Sequence, residues 1–104
     1  MHALFVNFTV PDRSPDEVLE LFQPLVPSFA DIPGNLAKIW LADAEAGRYG
    51  ALYLWRDSED MQAYLDSDLW QAVQDHPAMA DFDVRRFTVI EPFTKATQPG
   101  LTIV

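Results

Sequence analysis

Six consecutive residues without a charge, Gly50-Ala51-Leu52-Tyr53-Leu54-Trp55, constrain the fold more than any other stretch of the chain. In an extended strand alternate side chains point to opposite sides, so this run is apolar on both faces. A four-stranded sheet that carries helices on one side needs only one apolar face. The rest of the chain can supply helices for one face only. The second face therefore needs another cover, and a second copy of the chain is the simplest. Parity opposes Tyr53 and Trp55 to Leu52 and Leu54 without deciding which pair meets the helices.

The elements around this run follow from local signals. Residues 3–10 are rich in β-branched and aromatic types and stop at Pro11, which predicts a first strand. Ser14-Pro15-Asp16-Glu17 predicts a helix start: Ser14 caps, Pro15 suits the first helical position and Glu17 completes a capping box. Val18, Phe22, Leu25 and Phe29 then fall on one helical face. Pro24 and Pro27 remove internal hydrogen bonds, so a kink or a broken second half is expected. Pro33-Gly34 turns the chain into a second strand, 35–42, and a loop at 43–48 leads to a third, 49–56. Asp57 and Ser58 are caps for a second helix with Met61, Tyr64, Leu65, Leu69 and Val73 on its apolar side, ending before His76-Pro77. Residues 82–90 are expected as a fourth strand. The tail from Glu91 holds Pro92, Pro99 and Gly100 and ends in apolar Leu101–Val104, which reads as a segment that docks, on a partner subunit.

The order β-α-β-β-α-β is the ferredoxin-like α+β pattern, a four-stranded antiparallel sheet with both helices on one face. No repeat or linker divides the chain, so residues 1–104 are read as one domain. Two such sheets packed face to face form a dimeric α+β barrel, which predicts a homodimer through the second sheet face.

Charge and composition exclude several classes. Sixteen acids against seven bases give a net charge of −9, and eight acids with no Lys or Arg lie between Arg56 and Arg85. That balance argues against nucleic acid and anionic membranes as partners. There are no cysteines, so thiol catalysis, disulfides and Cys-ligated metals are excluded. No segment approaches 18 apolar residues, and the N-terminus lacks the basic region of a signal peptide, so a cytoplasmic protein is expected. The chain has no phosphate-binding glycine loop, nucleophile elbow or HExxH pair.

Pro33-Gly34, Lys38 and Trp40 together spell P-G-x-x-x-K-x-W at the entry to the second strand. Tyr49 through Trp55, Ala63-Tyr64-Leu65 and Glu91-Pro92 follow in order, and Pro24-Leu25 and Ser28 precede. In these residues the chain resembles the YdhR-type mono-oxygenase family of the dimeric α+β barrel superfamily, over about residues 3–95. Members of that superfamily resemble antibiotic-biosynthesis mono-oxygenases, which act on polycyclic aromatic substrates with molecular oxygen and no metal or flavin. The resemblance implies an oxygenase with no cofactor, oxygen as co-substrate and a hydrophobic aromatic small molecule as substrate, bound between sheet and helices.

Such an enzyme needs a dry aromatic pocket and a few polar groups to hold a phenolate-like substrate. Parity puts Asn7 with Phe5, Lys38 with Trp40, Tyr53 with Trp55, and Arg86 with Val84. Asn7 and Tyr64 are the candidates for polar orientation, against the commoner alternative that a buried Asn satisfies neighbouring backbone. Lys38 or Arg86 could stabilise an anion, against the alternatives of a snorkelling lysine and an ordinary ion pair. Trp40, Tyr53, Trp55 and Trp70 could shape a substrate site or simply fill core and interface. His76, at a helix C-terminus, is open as a base, a haem ligand or a cap. The haem-degrading branch of the superfamily is the rival resemblance, with Asn7, Tyr64 and His76 in similar places. It ordinarily has Trp where Tyr64 stands, and His76 here precedes a proline. A third reading is a dimer that binds a small molecule or serves assembly without turnover.

Overall fold

The strands at His2–Thr9 and Arg48–Trp55 take the centre of the sheet, where both edges are paired. The computed structural model describes residues 1–98. It contains β1 (His2–Thr9), α1 (Pro15–Phe22), a 3-10 turn (Gln23–Leu25), α2 (Val26–Phe29), β2 (Asn35–Asp43), β3 (Arg48–Trp55), α3 (Ser58–Leu65), α4 (Asp68–Gln74), β4 (Ala80–Thr88) and α5 (Glu91–Ala96). The strand order is β2-β3-β1-β4, with every neighbouring pair antiparallel. This is the ferredoxin-like α+β arrangement expected from the element order. No described helix is long and apolar enough to cross a membrane.

Register decides the question that parity leaves open. Leu4 pairs with Tyr53 and Val6 with Ala51, and all four are buried under the helices with Trp55, Val18, Phe22 and Tyr64. Tyr53 and Trp55 therefore face the helices. Phe5 pairs with Leu52 and Asn7 with Gly50, which puts Leu52, Leu54, Ile39, Leu41 and Phe87 on the second face. Phe87 there is 53% exposed and Ile39 41%. Gly50 is required by close approach: a Cβ at this position would run into the Val6 carbonyl and lie 2.7 Å from the Asn7 Cα.

The first helix starts as expected. The Ser14 Oγ accepts from the Glu17 amide at 3.2 Å and the Glu17 carboxylate accepts from the Ser14 amide at 2.9 Å. Pro24 then opens the 3-10 turn and Pro27 sits in α2, so the helix breaks instead of bending.

Three boundaries differ from expectation. The second helical stretch is two helices, because the Ser67 hydroxyl accepts from the Trp70 amide and caps a new helix. β4 begins at Ala80 instead of 82, and Asp81 within it takes a left-handed φ of 54° at a bulge of β4 opposite Asn7–Thr9 of β1. The segment after Glu91 forms α5, with Pro92 in its first turn, where a missing N–H costs nothing. Leu54 is buried on the second face, where it shares a hollow with Met1, Val89 and Thr94. The apolar Leu101–Val104 end lies outside the described residues.

Candidate active site

Edge strand β2 shows one face to the helices, and that face carries Lys38 and Trp40. Lys38 pairs with Tyr53 and Trp40 with Ala51, so both stand beside the central aromatic strand. The proline-broken segment brings Phe29 of α2 over them, with the Phe29 and Trp40 rings edge to face at 5.7 Å. Together with Phe22, Leu25 and Tyr53 they wall a narrow cleft between sheet and helices. The space is about 380 Å³ with its solvent-open part, of which only about 30 Å³ admits the centre of a water molecule. A second hollow on the outer side, between α2 and β2, shares Phe29, Lys38 and Trp40 and measures about 550 Å³ on the same basis.

The Lys38 amine is boxed by rings. Its Nζ lies 3.1 Å from the Phe29 ring centroid, 3.9 Å from that of Trp40 and 4.9 Å from that of Tyr53. No carboxylate reaches it: the ion pairs of the described residues belong to the N-terminus, Arg56 and Arg85. Burial without a counter-charge pushes its pKa down to about 7. The ring faces favour the ammonium and temper that shift, at about 0.5–2 kcal/mol each, but supply no full negative charge. An amine that gains and loses its proton near neutrality can take a proton from a substrate hydroxyl and then hold the resulting anion.

Behind the cleft the Tyr53 and Tyr64 hydroxyls hydrogen-bond at 3.0 Å in the buried core. Burial pushes Tyr64 up to about 12 and raises Tyr53 further, its neighbour Tyr64 adding to that rise. Both remain neutral phenols at ordinary pH. Trp55 stacks on Tyr53 and Tyr64 at 5.9 and 5.3 Å, and Trp70 lies 5.8 Å from Tyr64. Trp55, Tyr64 and Trp70 thus pack in the core, outside the cleft lining. The Trp55 Nε1 is buried with no hydrogen-bond partner among the described residues.

The fold does not bring Asn7, Tyr64 and His76 together. Asn7 points to the second sheet face, because Val6 and Phe8 on either side of it are the buried residues. Its Oδ1 accepts from the Arg48 Nε at 2.7 Å, and Arg48 also donates to the Asp81 carbonyl. His76 closes the turn after α4, its Nδ1 accepting from the Ala78 amide at 3.1 Å. Arg86 lies on the helix side of β4, exposed, and donates to Gln62 of α3 at 3.0 Å. Of the expected site residues the cleft collects Lys38, Trp40 and Tyr53. Phe29 and Leu25 were legible as an apolar helix face but not as cleft wall. Their signal is the Pro24 and Pro27 pair, which frees a short segment to lean over β2. No group of three or more His, Cys, Asp or Glu is placed to hold a metal ion among the described residues.

Comparison with known proteins agrees with the fold. Residues 3–99 match the family described as "Putative mono-oxygenase ydhR". No match to a curated protein was found. Among solved structures, the haem degrader MhuD of Mycobacterium tuberculosis, with two haems in its active site, superposes with a TM-score of 0.69 at 20% identity, over 86% of this chain and 96% of that one. SnoaB of Streptomyces nogalater, a cofactor-independent oxygenase in its N63A form, gives 0.65 at 24% identity, over 86% and 93%. A protein of unknown function from Nitrosomonas europaea gives 0.71 at 16% identity, over 86% and 88%. At these identities the likeness establishes the fold.

Proposed function

This chain belongs to the ydhR mono-oxygenase family, and from that premise we propose that it is a cofactor-independent mono-oxygenase for a hydrophobic aromatic small molecule with an acidic hydroxyl. The observation that carries this reading is the Lys38 amine, boxed by Phe29, Trp40 and Tyr53 with no carboxylate of the described residues paired to it. The neutral amine accepts the proton of a phenolic substrate, and the ammonium so formed holds the phenolate. The electron-rich phenolate is the reductant for oxygen. Phenol plus dioxygen gives quinone plus water, so one oxygen atom enters the product and no external electron donor is needed. The apolar walls keep water from the reacting carbon and strengthen the ammonium–phenolate attraction. The cleft is too narrow for a ring as it stands, so binding moves Phe29 and Trp40 apart, which the short α2 permits.

The reading needs no haem, because the fold does not gather Asn7, Tyr64 and His76. A haem site built on Asn7, Tyr64 and His76 needs them in one pocket, yet Asn7 is on the opposite sheet face and the His76 Nδ1 is taken by Ala78. A haem titration is expected to leave the Soret band at its free position.

A homodimer completes the proposal. The second face exposes Ile39, Leu41 and Phe87 around half-buried Leu52 and Phe5, and a second copy covers it. Light scattering at about 10 μM is expected to give the dimer mass; a monomer mass sinks this part. The reaction itself is tested by oxygen uptake with phenolic polycyclic compounds in the presence of a chelator. Uptake should be measurable in the unaltered protein and fall about 100-fold in Lys38→Met. Saturable binding of the same compounds without uptake marks a binding protein instead.

A further inference from the structure

We propose that Lys38 is a covalent capture point for aromatic aldehydes, which it holds as imines. The amine stands where the inner cleft and the outer hollow meet, and both are lined by Phe29, Lys38 and Trp40. The outer hollow gives it a route of approach that the inner cleft lacks, with about 250 Å³ open to the centres of water molecules. Trp40 is 38% exposed there and offers a ring face beside the amine. An aryl group that stacks on Trp40 brings a carbonyl carbon attached to it within reach of Nζ.

The surroundings favour the reaction. A lysine desolvated in an apolar site is a nucleophile, because its uncharged form is populated near neutrality. Burial acts in that direction on Lys38, and no carboxylate of the described residues pairs with it to hold it protonated. The nitrogen lone pair adds to the carbonyl carbon to give a carbinolamine. Loss of water then forms C=N, both nitrogen protons departing with the carbonyl oxygen, with no oxidation or reduction. The imine so formed is neutral; when it takes a proton from solvent, the resulting positive charge sits among the same three ring faces, which stabilise it as they do the ammonium. An aliphatic aldehyde of equal reactivity lacks the stacking partner. This inference shares the cleft with the mono-oxygenase reading but does not depend on turnover.

The chain carries its own standards, since it has only one other lysine, Lys95, exposed on α5. The unaltered protein is treated at about pH 7 with 2-naphthaldehyde and cyanoborohydride, which reduces the imine to a stable amine, and the labelled sites are read by peptide mapping. Lys38 is expected to take at least about tenfold more label than Lys95. Acetaldehyde in place of naphthaldehyde should reduce that ratio, and Trp40→Ala should reduce it with naphthaldehyde. Equal or greater label on Lys95 overturns the inference, as does an acetaldehyde ratio equal to that of naphthaldehyde. Label on Lys38 without oxygen uptake leaves this inference standing and removes the mono-oxygenase reading. Uptake without label on Lys38 does the reverse.

Discussion

Lys38 ties stability to pH, because its folded pKa of about 7 lies below the about 10.4 expected of an unfolded lysine. Between these values the unfolded chain holds a proton that the folded chain lacks, so this residue makes stability rise with pH across that window. Below about 7 the buried ammonium carries its full cost; above about 10 the cost is gone. Lys38→Met removes the dependence. Denaturant midpoints at about pH 6 and about pH 9 should rise less in the variant than in the parent, and equal rises contradict the assignment. The tyrosine pair gives a second expectation. Tyr64→Phe leaves the buried Tyr53 hydroxyl without its partner and should cost about 1–3 kcal/mol in thermal denaturation, while Tyr53→Phe with Tyr64→Phe recovers part of it. At this scale the sequence made Lys38 and Trp40 legible, because alternation puts them on one side of a strand. Asn7 was legible only as a companion of Phe5. Which side of β1 meets the helices depends on pairing with β3, a long-range register that alternation within one strand does not contain.

Elements follow local chemistry where a side chain caps or a proline interrupts. The capping box at Ser14 and the breaks at Pro24 and Pro27 were readable for that reason. The division between α3 and α4 was not, since Leu65 and Leu69 keep helical spacing across it while the Ser67 hydroxyl competes for backbone amides. Ser67→Ala should destabilise by about 1 kcal/mol, measured by denaturant unfolding, without altering β4. α5 was hidden because Pro92, with Pro99 and Gly100 further along the sequence, reads as a loop, although Pro92 falls in the one turn where proline is tolerated. Gly50→Ala tests the central strand pair: its methyl would force β3 from β1 at the Val6 carbonyl and should cost about 3 kcal/mol. A loss within a few tenths of a kcal/mol would mean that the pairing is looser than described.

The whole molecule divides its two sheet faces between two tasks. One carries the core and the cleft; the other presents Ile39, Leu41 and Phe87 to solvent in the single chain. Charge-bearing changes on that second face, such as Leu41→Glu, should lower the mass seen by light scattering while leaving the cleft intact. The six uncharged residues of β3 serve both sides, with Tyr53 and Trp55 inward and Leu52 and Leu54 outward. The central claim is that Lys38 in its aromatic box drives oxygenation of a phenol, and the pH profile of kcat/KM for oxygen uptake tests it most directly. Productive encounter needs the neutral amine with the neutral phenol, or the equivalent ammonium with the phenolate. For a substrate hydroxyl of pKa about 10 the profile should therefore rise through about 7 and fall through about 10. Lys38→Met should lose the lower limb together with most of the rate. A profile unchanged in that variant, at an undiminished rate, would contradict the account.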